Sequence, residues 1–300
     1  MSGAIGSEGL PTKISGNDMF LRIGFELGYN HPLPTPMVLM LAVHDSRRPD
    51  LRVPDRLVFD PAVCASGYLD NFGNRCTRVV APAGAVRILS DAVIADTGAP
   101  DEVDWNASQH PVEELPHETL RFLLGSRYCE TDLLSDIAWR QFGNVAPGWA
   151  KVQAICDFVH GHLQFGYQHA RPTKTAWDAY SERRGVCRDF AHLAIALCRC
   201  MNIPARYCTG YLGDIGVPPV DAPMDFSGWF EAFLGGRWYT FDARHNTPRI
   251  GRVPIAYGRD AADVAISTSF GTSYLTQFRV WTDAVQAPEQ VQPQLLHAAD

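Results

Sequence analysis

Gly185-Val-Cys-Arg-Asp-Phe-Ala-His-Leu-Ala-Ile-Ala-Leu-Cys-Arg-Cys-Met-Asn-Ile-Pro204 is the stretch on which the fold turns. Its apolar residues fall at Cys187, Phe190, Ala191, Ala194, Leu197, Cys198 and Met201, the period of a helix with one buried face. Gly185 reads as the turn before the helix, and Asn202 and Pro204 as its stop. Cys187 therefore stands at the helix N-terminus, where free N–H groups favour a thiolate over a thiol. Two readings fit that position equally: a cysteine nucleophile, or a core thiol at the start of a core helix.

The rest of the composition narrows the class. A hydrophobic fraction of 46% and a charged fraction of 20% describe a globular chain, long enough for two domains. The net charge of −7, with no run of Lys or Arg, argues against a nucleic-acid partner. No stretch is apolar enough for a membrane span, so no membrane partner is expected. The opening Met1-Ser-Gly-Ala-Ile-Gly-Ser-Glu-Gly9 lacks a cationic-then-apolar leader, and the expectation is a cytoplasmic, reducing setting. The eight cysteines then read as thiols. Cys198-Arg-Cys200 directs its thiols to different sides of a helix, which does not suit zinc.

Along the chain, residues 1–17 carry no periodicity and are expected to be flexible. Residues 18–105 carry strand signals, among them Phe20 to Leu27, Pro36 to Val43, Leu51 to Val53 and Ala85 to Ile94. The turn Leu69-Asp-Asn-Phe-Gly-Asn74 has Gly73 and Asn74 suited to positive φ. This part reads as an all-β sandwich-like domain. A Pro- and acid-rich boundary follows, and residues 118–286 read as an α+β domain. It opens with helices from Thr131, as N-cap, and from Pro147. Residues 287–300 read as a flexible tail.

The second informative stretch is Ser227-Gly-Trp-Phe-Glu-Ala-Phe-Leu-Gly-Gly-Arg-Trp-Tyr-Thr-Phe-Asp-Ala-Arg-His245. Gly235-Gly236 between aromatic runs signals a β-hairpin. A two-residue turn pairs Leu234 with Arg237, Trp229 with Asp242 and Ser227 with Arg244. Ser227 and Asp242 are then diagonal neighbours on one face, about 7–8 Å apart along the backbone. His245 falls on the other face unless the strand ends first.

The order of these segments resembles the transglutaminase-like superfamily of papain-type cysteine enzymes, in its bacterial two-domain form. The resemblance rests on Gly185-Val-Cys-Arg-Asp-Phe-Ala-His-Leu193, Pro204-Ala-Arg through Gly210-Tyr, Trp229-Phe-Glu and Trp238-Tyr-Thr-Phe-Asp242. It covers about residues 118 to 285, and Asp70-Asn-Phe-Gly-Asn74 resembles that family's N-terminal β-domain. It implies a papain-like α+β core behind the β-domain. It also implies a Cys-His-Asp triad acting through a thioester on a peptide or small amide-containing substrate, without a cofactor. By position Cys187 is the nucleophile and Asp242 the orienting carboxylate, but the expected histidine position holds Ser227.

A serine hydroxyl is no base near neutral pH. Three explanations stay open. A second histidine serves: His245, His169, or His192, which lies about 140° round the helix from Cys187 and should point away. Alternatively, Asp242 and Ser227 support a different reaction, such as isomerisation or cyclisation. In the third, the scaffold binds without turnover. Arg244 is a candidate for holding a thiolate or a substrate carboxylate. Trp229 and Trp177 are candidate walls of the substrate cleft. Glu231 reads as the partner of an arginine, Arg188 as a surface residue, and Asp189 as a first-turn acid. His160-Gly-His162 does not converge as a metal site. Hydrolysis and acyl transfer to an amine fit the sequence equally.

Overall fold

The computed structural model describes residues 19–220 and 223–286. The expected flexible segments 1–17 and 287–300 lie outside the described residues. The first half forms seven strands: β1 (Met19–His31), β2 (Thr35–Leu39), β3 (Leu51–Val53), β4 (Val58–Asp60), β5 (Ala65–Leu69), β6 (Arg75–Ala81) and β7 (Gly84–Asp96). Helices α1 (His117–Leu120), α2 (Thr131–Phe142) and α3 (Trp149–His162) follow. Then come β8 (Gln164–Phe165), α4 (Ala176–Glu182), β9 (Arg184–Gly185), α5 (Cys187–Cys200) and β10 (Ala205–Tyr211). The chain closes with β11 (Ser227–Leu234), β12 (Arg237–Phe241), β13 (Val253–Gly258), β14 (Ser267–Ser269) and β15 (Tyr274–Val285).

An N-terminal antiparallel β-domain and an α+β core match the class expected. The boundary between them does not. One sheet runs β15-β1-β7-β3 with β4 also on β7, the other β14-β2-β6-β5. Residues 267–285, assigned from the sequence to the 118–286 domain, thus supply a strand to each N-terminal sheet. The reason is packing. The Trp281 ring lies against Gly24, where a Cβ would start 2.4 Å from it, and the indole donates to Asp91 at 3.0 Å. Arg22 reaches the same carboxylate at 2.8 Å, so one acid ties β1, β7 and β15 together.

The turn at Asp70 also bridges the two halves. Asp70 accepts from the Phe72 and Asn74 N–H groups, each at 2.8 Å, and Gly73 has φ 83°. Asn74 does not adopt positive φ; its buried amide instead exchanges two hydrogen bonds with the Tyr257 backbone in β13.

In the α+β part, the sheet runs β12-β11-β10-β13 and α5 packs on β10 and β11, with α2, α3 and α4 around it. The helix carries more than an amphipathic stripe: every residue from Asp189 to Cys200 is buried. Its polar members turn to backbone from neighbouring elements, though His192 Nδ1 has no partner among the described residues. Arg199 donates to the carbonyls of Leu124 and Ala205, and His192 accepts from the Ala261 N–H at 3.1 Å. Two helix starts shift by a residue or two. Glu130, not Thr131, takes the cap position of α2. α3 starts at Trp149 because Gly148, at φ 91°, lets the Trp149 N–H reach the Ala107 carbonyl. Among the described residues no helix is long and apolar enough to cross a membrane.

Candidate active site

Val186 is extended and Cys187 begins α5. The Asp189 carboxylate turns back to accept the Val186 N–H at 2.9 Å, so it caps the helix as a first-turn acid should. Gly185 is required by that cap, since a Cβ there would start 2.6 Å from the Asp189 Cβ. Arg188 sits on the Asp189 carboxylate at 3.2 Å and donates to the Arg171 carbonyl. Cys187 itself is partly exposed. The expected thiolate preference is corrected here. Burial pushes the thiol above its ordinary value, and the Gly228 N–H and the Arg244 charge offset this only in part.

The hairpin has the register calculated from its turn, with Leu234 opposite Arg237 and Phe230 opposite Phe241. Gly235 and Gly236 have φ 54° and 84°, which two-residue turns demand. The ladder stops at Phe241, and with it the pairing expected for Asp242 and Arg244. Asp242 takes over the turn. Its Oδ1 accepts the Arg244 and His245 N–H groups at 3.0 and 3.1 Å. That turn brings the His245 ring back, so that its Nδ1 lies 2.8 Å from Asp242 Oδ2. His160 Nδ1, 2.9 Å from the Arg244 carbonyl, holds the same turn from α3.

Asp242 is buried with a second partner that sequence reasoning missed. Arg252 donates to its Oδ2 at 2.9 Å and to Asp101 at 2.8 Å. Burial would raise the Asp242 carboxyl, but the Arg252 charge and the His245 hydrogen bond outweigh it and hold the group well below the usual carboxylate range. Nothing local in the sequence marks Arg252, ten residues past its partner.

Cys187, Ser227, Arg244 and His245 all line one cavity of about 350 Å³. A second cavity of about 520 Å³, walled by Tyr128, Val264, Ile266 and Phe278, meets it at Tyr167, Cys187, Asp225 and Phe226. Four of the remaining candidates are elsewhere. Trp229 is buried beneath the Arg252 guanidinium, 5.0 Å from its ring centre, and so supports the Asp242 pair rather than the cleft. Trp177 lines neither cavity; it stacks on Tyr180 at 5.9 Å. His169 lines neither, and His192 stacks on Tyr128 in the core. Glu231 pairs with Arg206 at 2.8 Å. Asp225, which borders both cavities, is a lining residue that sequence reasoning missed. Its carboxyl is pushed up by burial, against the Phe226 N–H and the Arg244 charge. Among the described residues no three His, Cys, Asp or Glu side chains gather to hold a metal ion.

A family model for the transglutaminase-like superfamily matches residues 136–243, from within α2 to the turn after β12. A crystal structure from Cytophaga hutchinsonii, provisionally named a cysteine protease, is 31% identical to this chain. The match covers 91% of this chain and 92% of that one, with a TM-score of 0.78. The chain belongs to the transglutaminase-like superfamily. An uncharacterized Mycobacterium leprae protein is 37% identical over 95 residues, which is 29% of this chain and 32% of that protein. The match thus spans about a third of the curated relative's length. Within the superfamily segment lie Cys187, Ser227 and Asp242, while His245 falls two residues beyond its matched end.

Proposed function

We propose that this protein is a cysteine enzyme that acts on an amide or peptide-like bond through a thioester at Cys187, with His245 as its base and Asp242 as the residue that orients it. The observation that carries the reading is the His245 Nδ1 contact to Asp242 at 2.8 Å, made by a ring that lines the same cavity as Cys187. A carboxylate on Nδ1 fixes the tautomer with a free Nε2, which is the proton acceptor such chemistry needs. Ser227 leaves room in that cavity and takes no part as a base.

Because the thiol is held above its ordinary value, a standing thiolate is not the starting species. His245 accepts the Cys187 proton as the sulfur attacks the carbonyl carbon and a C–S bond forms. The tetrahedral intermediate then breaks its C–N bond, and the imidazolium returns the proton to the leaving amine. Water attacks the thioester in the second half, giving an acid and the free thiol; an amine acceptor gives a new amide instead. The free state of all eight cysteines suits the cytoplasmic setting included in this reading.

The test is a p-nitrophenyl ester, followed by mass spectrometry of the peptide that carries Cys187. An acyl adduct there, absent from Cys187→Ala, is the expected result, and adding an amine shows which acceptor captures it. No adduct on Cys187 would contradict the reading. A signal on the exposed Cys64 serves as the internal control for unassisted thiol reactivity.

A further inference from the structure

The two cavities that meet at Cys187 differ in chemistry. The larger is walled by Tyr128, Val264, Ile266 and Phe278, with Phe226 at the junction, and its two arginines, Arg171 and Arg188, are each paired with an acid, Glu182 and Asp189. The smaller carries two guanidiniums, Arg244 and Arg249, and two acids, Asp214 and Asp225. The acids do not neutralise the arginines evenly. Asp214 lies 3.6 Å from Arg249 Nη2 and is engaged by the Val220 N–H at 2.7 Å. Asp225 is pushed toward its neutral form by burial.

Arg244 makes no ion pair or side-chain hydrogen bond with any carboxylate among the described residues. Its guanidinium carbon lies 3.8 Å over the Phe165 ring. Stacking fixes the plane of the group, which has Tyr167 beside it and no carboxylate partner among the described residues. Arg249, almost wholly buried in the same wall, has an Nε without a partner among the described residues. Two like charges on one cavity wall repel, and an anion between them relieves that repulsion.

We propose that the wall formed by Arg244 and Arg249 is a carboxylate-binding subsite. The substrate then carries an apolar or aromatic group on one side of its scissile amide and a carboxylate on the other. This deepens the cysteine-enzyme reading and rests on it for the position of the amide. The subsite itself is open to test without turnover.

The experiment uses the full chain with Cys187→Ala, which keeps the cleft and removes the nucleophile. The probes are N-benzoylglycine, an aromatic acyl group joined by an amide to a carboxylate, and its neutral amide, N-benzoylglycinamide. Calorimetry should show the carboxylate bound about tenfold more tightly, the scale of one charge-assisted hydrogen-bonded contact. Adding Arg244→Met should erase that preference, and Arg244→Lys should retain part of it, with circular dichroism confirming that both fold. Equal affinity for the two probes, including no measurable binding of either, would overturn the proposal, as would a preference that survives Arg244→Met. The acylation test in the wild-type protein reads Cys187 independently, so loss of the subsite and loss of the chemistry are distinguishable.

Discussion

Asp242 accepts four hydrogen bonds: from the Arg244 and His245 N–H groups, from the His245 ring and from Arg252. One carboxylate therefore both builds the turn and orients the imidazole on it. Asp242→Asn should cost about 1–3 kcal/mol at neutral pH, because buried Arg252 loses one of its two carboxylates and keeps only Asp101. The pH dependence has a definite sign. A carboxyl held below its unfolded value contributes stability above about pH 3.9, and that stability is lost as pH falls through the unfolded and then the folded value. Urea melts from pH 6 to pH 2 should therefore show the gap between the wild type and Asp242→Asn narrowing toward the acid end. A constant gap across that range would contradict the assignment. At the same scale, Ser227→His restores an imidazole to the cavity. If His245 is already the base, acylation of Cys187 should rise by no more than a few-fold.

The hairpin shows which parts of an element can be read from sequence. Its register follows from Gly235-Gly236 because a two-residue turn is a local constraint. Its end does not, since the ladder stops where the Asp242 side chain captures the next two N–H groups, and that capture decides where His245 points. The helix start was legible in Gly185 and Cys187, but the state of the thiol was not. That state depends on burial and on Gly228 from another element. Gly228 is itself fixed by packing, since a Cβ there would start 2.2 Å from the Tyr207 hydroxyl on the neighbouring strand. Gly228→Ala should cost about 1–3 kcal/mol as an overpacked site. Combining it with Tyr207→Phe, which removes the clashing oxygen, should recover most of the loss in thermal melts.

Over the whole molecule, the strands of residues 267–285 close the N-terminal sheets while Ile266 and Phe278 wall the cleft. The two halves are therefore not separable at the boundary the sequence suggested. Pairing between Phe20 and Val285 joins the first and last described strands, and no local signal carries it. A chain ending at residue 272 should lose cooperative unfolding in calorimetry; an intact transition from a surviving catalytic half would contradict this. The buried thiols add an alkaline limit. Burial pushes Cys129 up to about 12 and Cys200 to about 11, so the folded state keeps protons that the unfolded chain releases above about pH 8.5. Melting temperature should fall steadily above that pH, and Cys129→Ala should flatten the slope.

The pairing of Cys187 with His245 is tested most directly by the pH dependence of Cys187 acylation with and without the imidazole. At pH 7 His245→Ala should acylate from a p-nitrophenyl ester about 10²-fold more slowly than the wild type, the scale of a lost general base. The deficit should shrink as pH rises toward the thiol's own ionisation, where the sulfur no longer needs a proton acceptor. Equal rates for the two proteins across the whole pH range would contradict the assignment of His245 as the base.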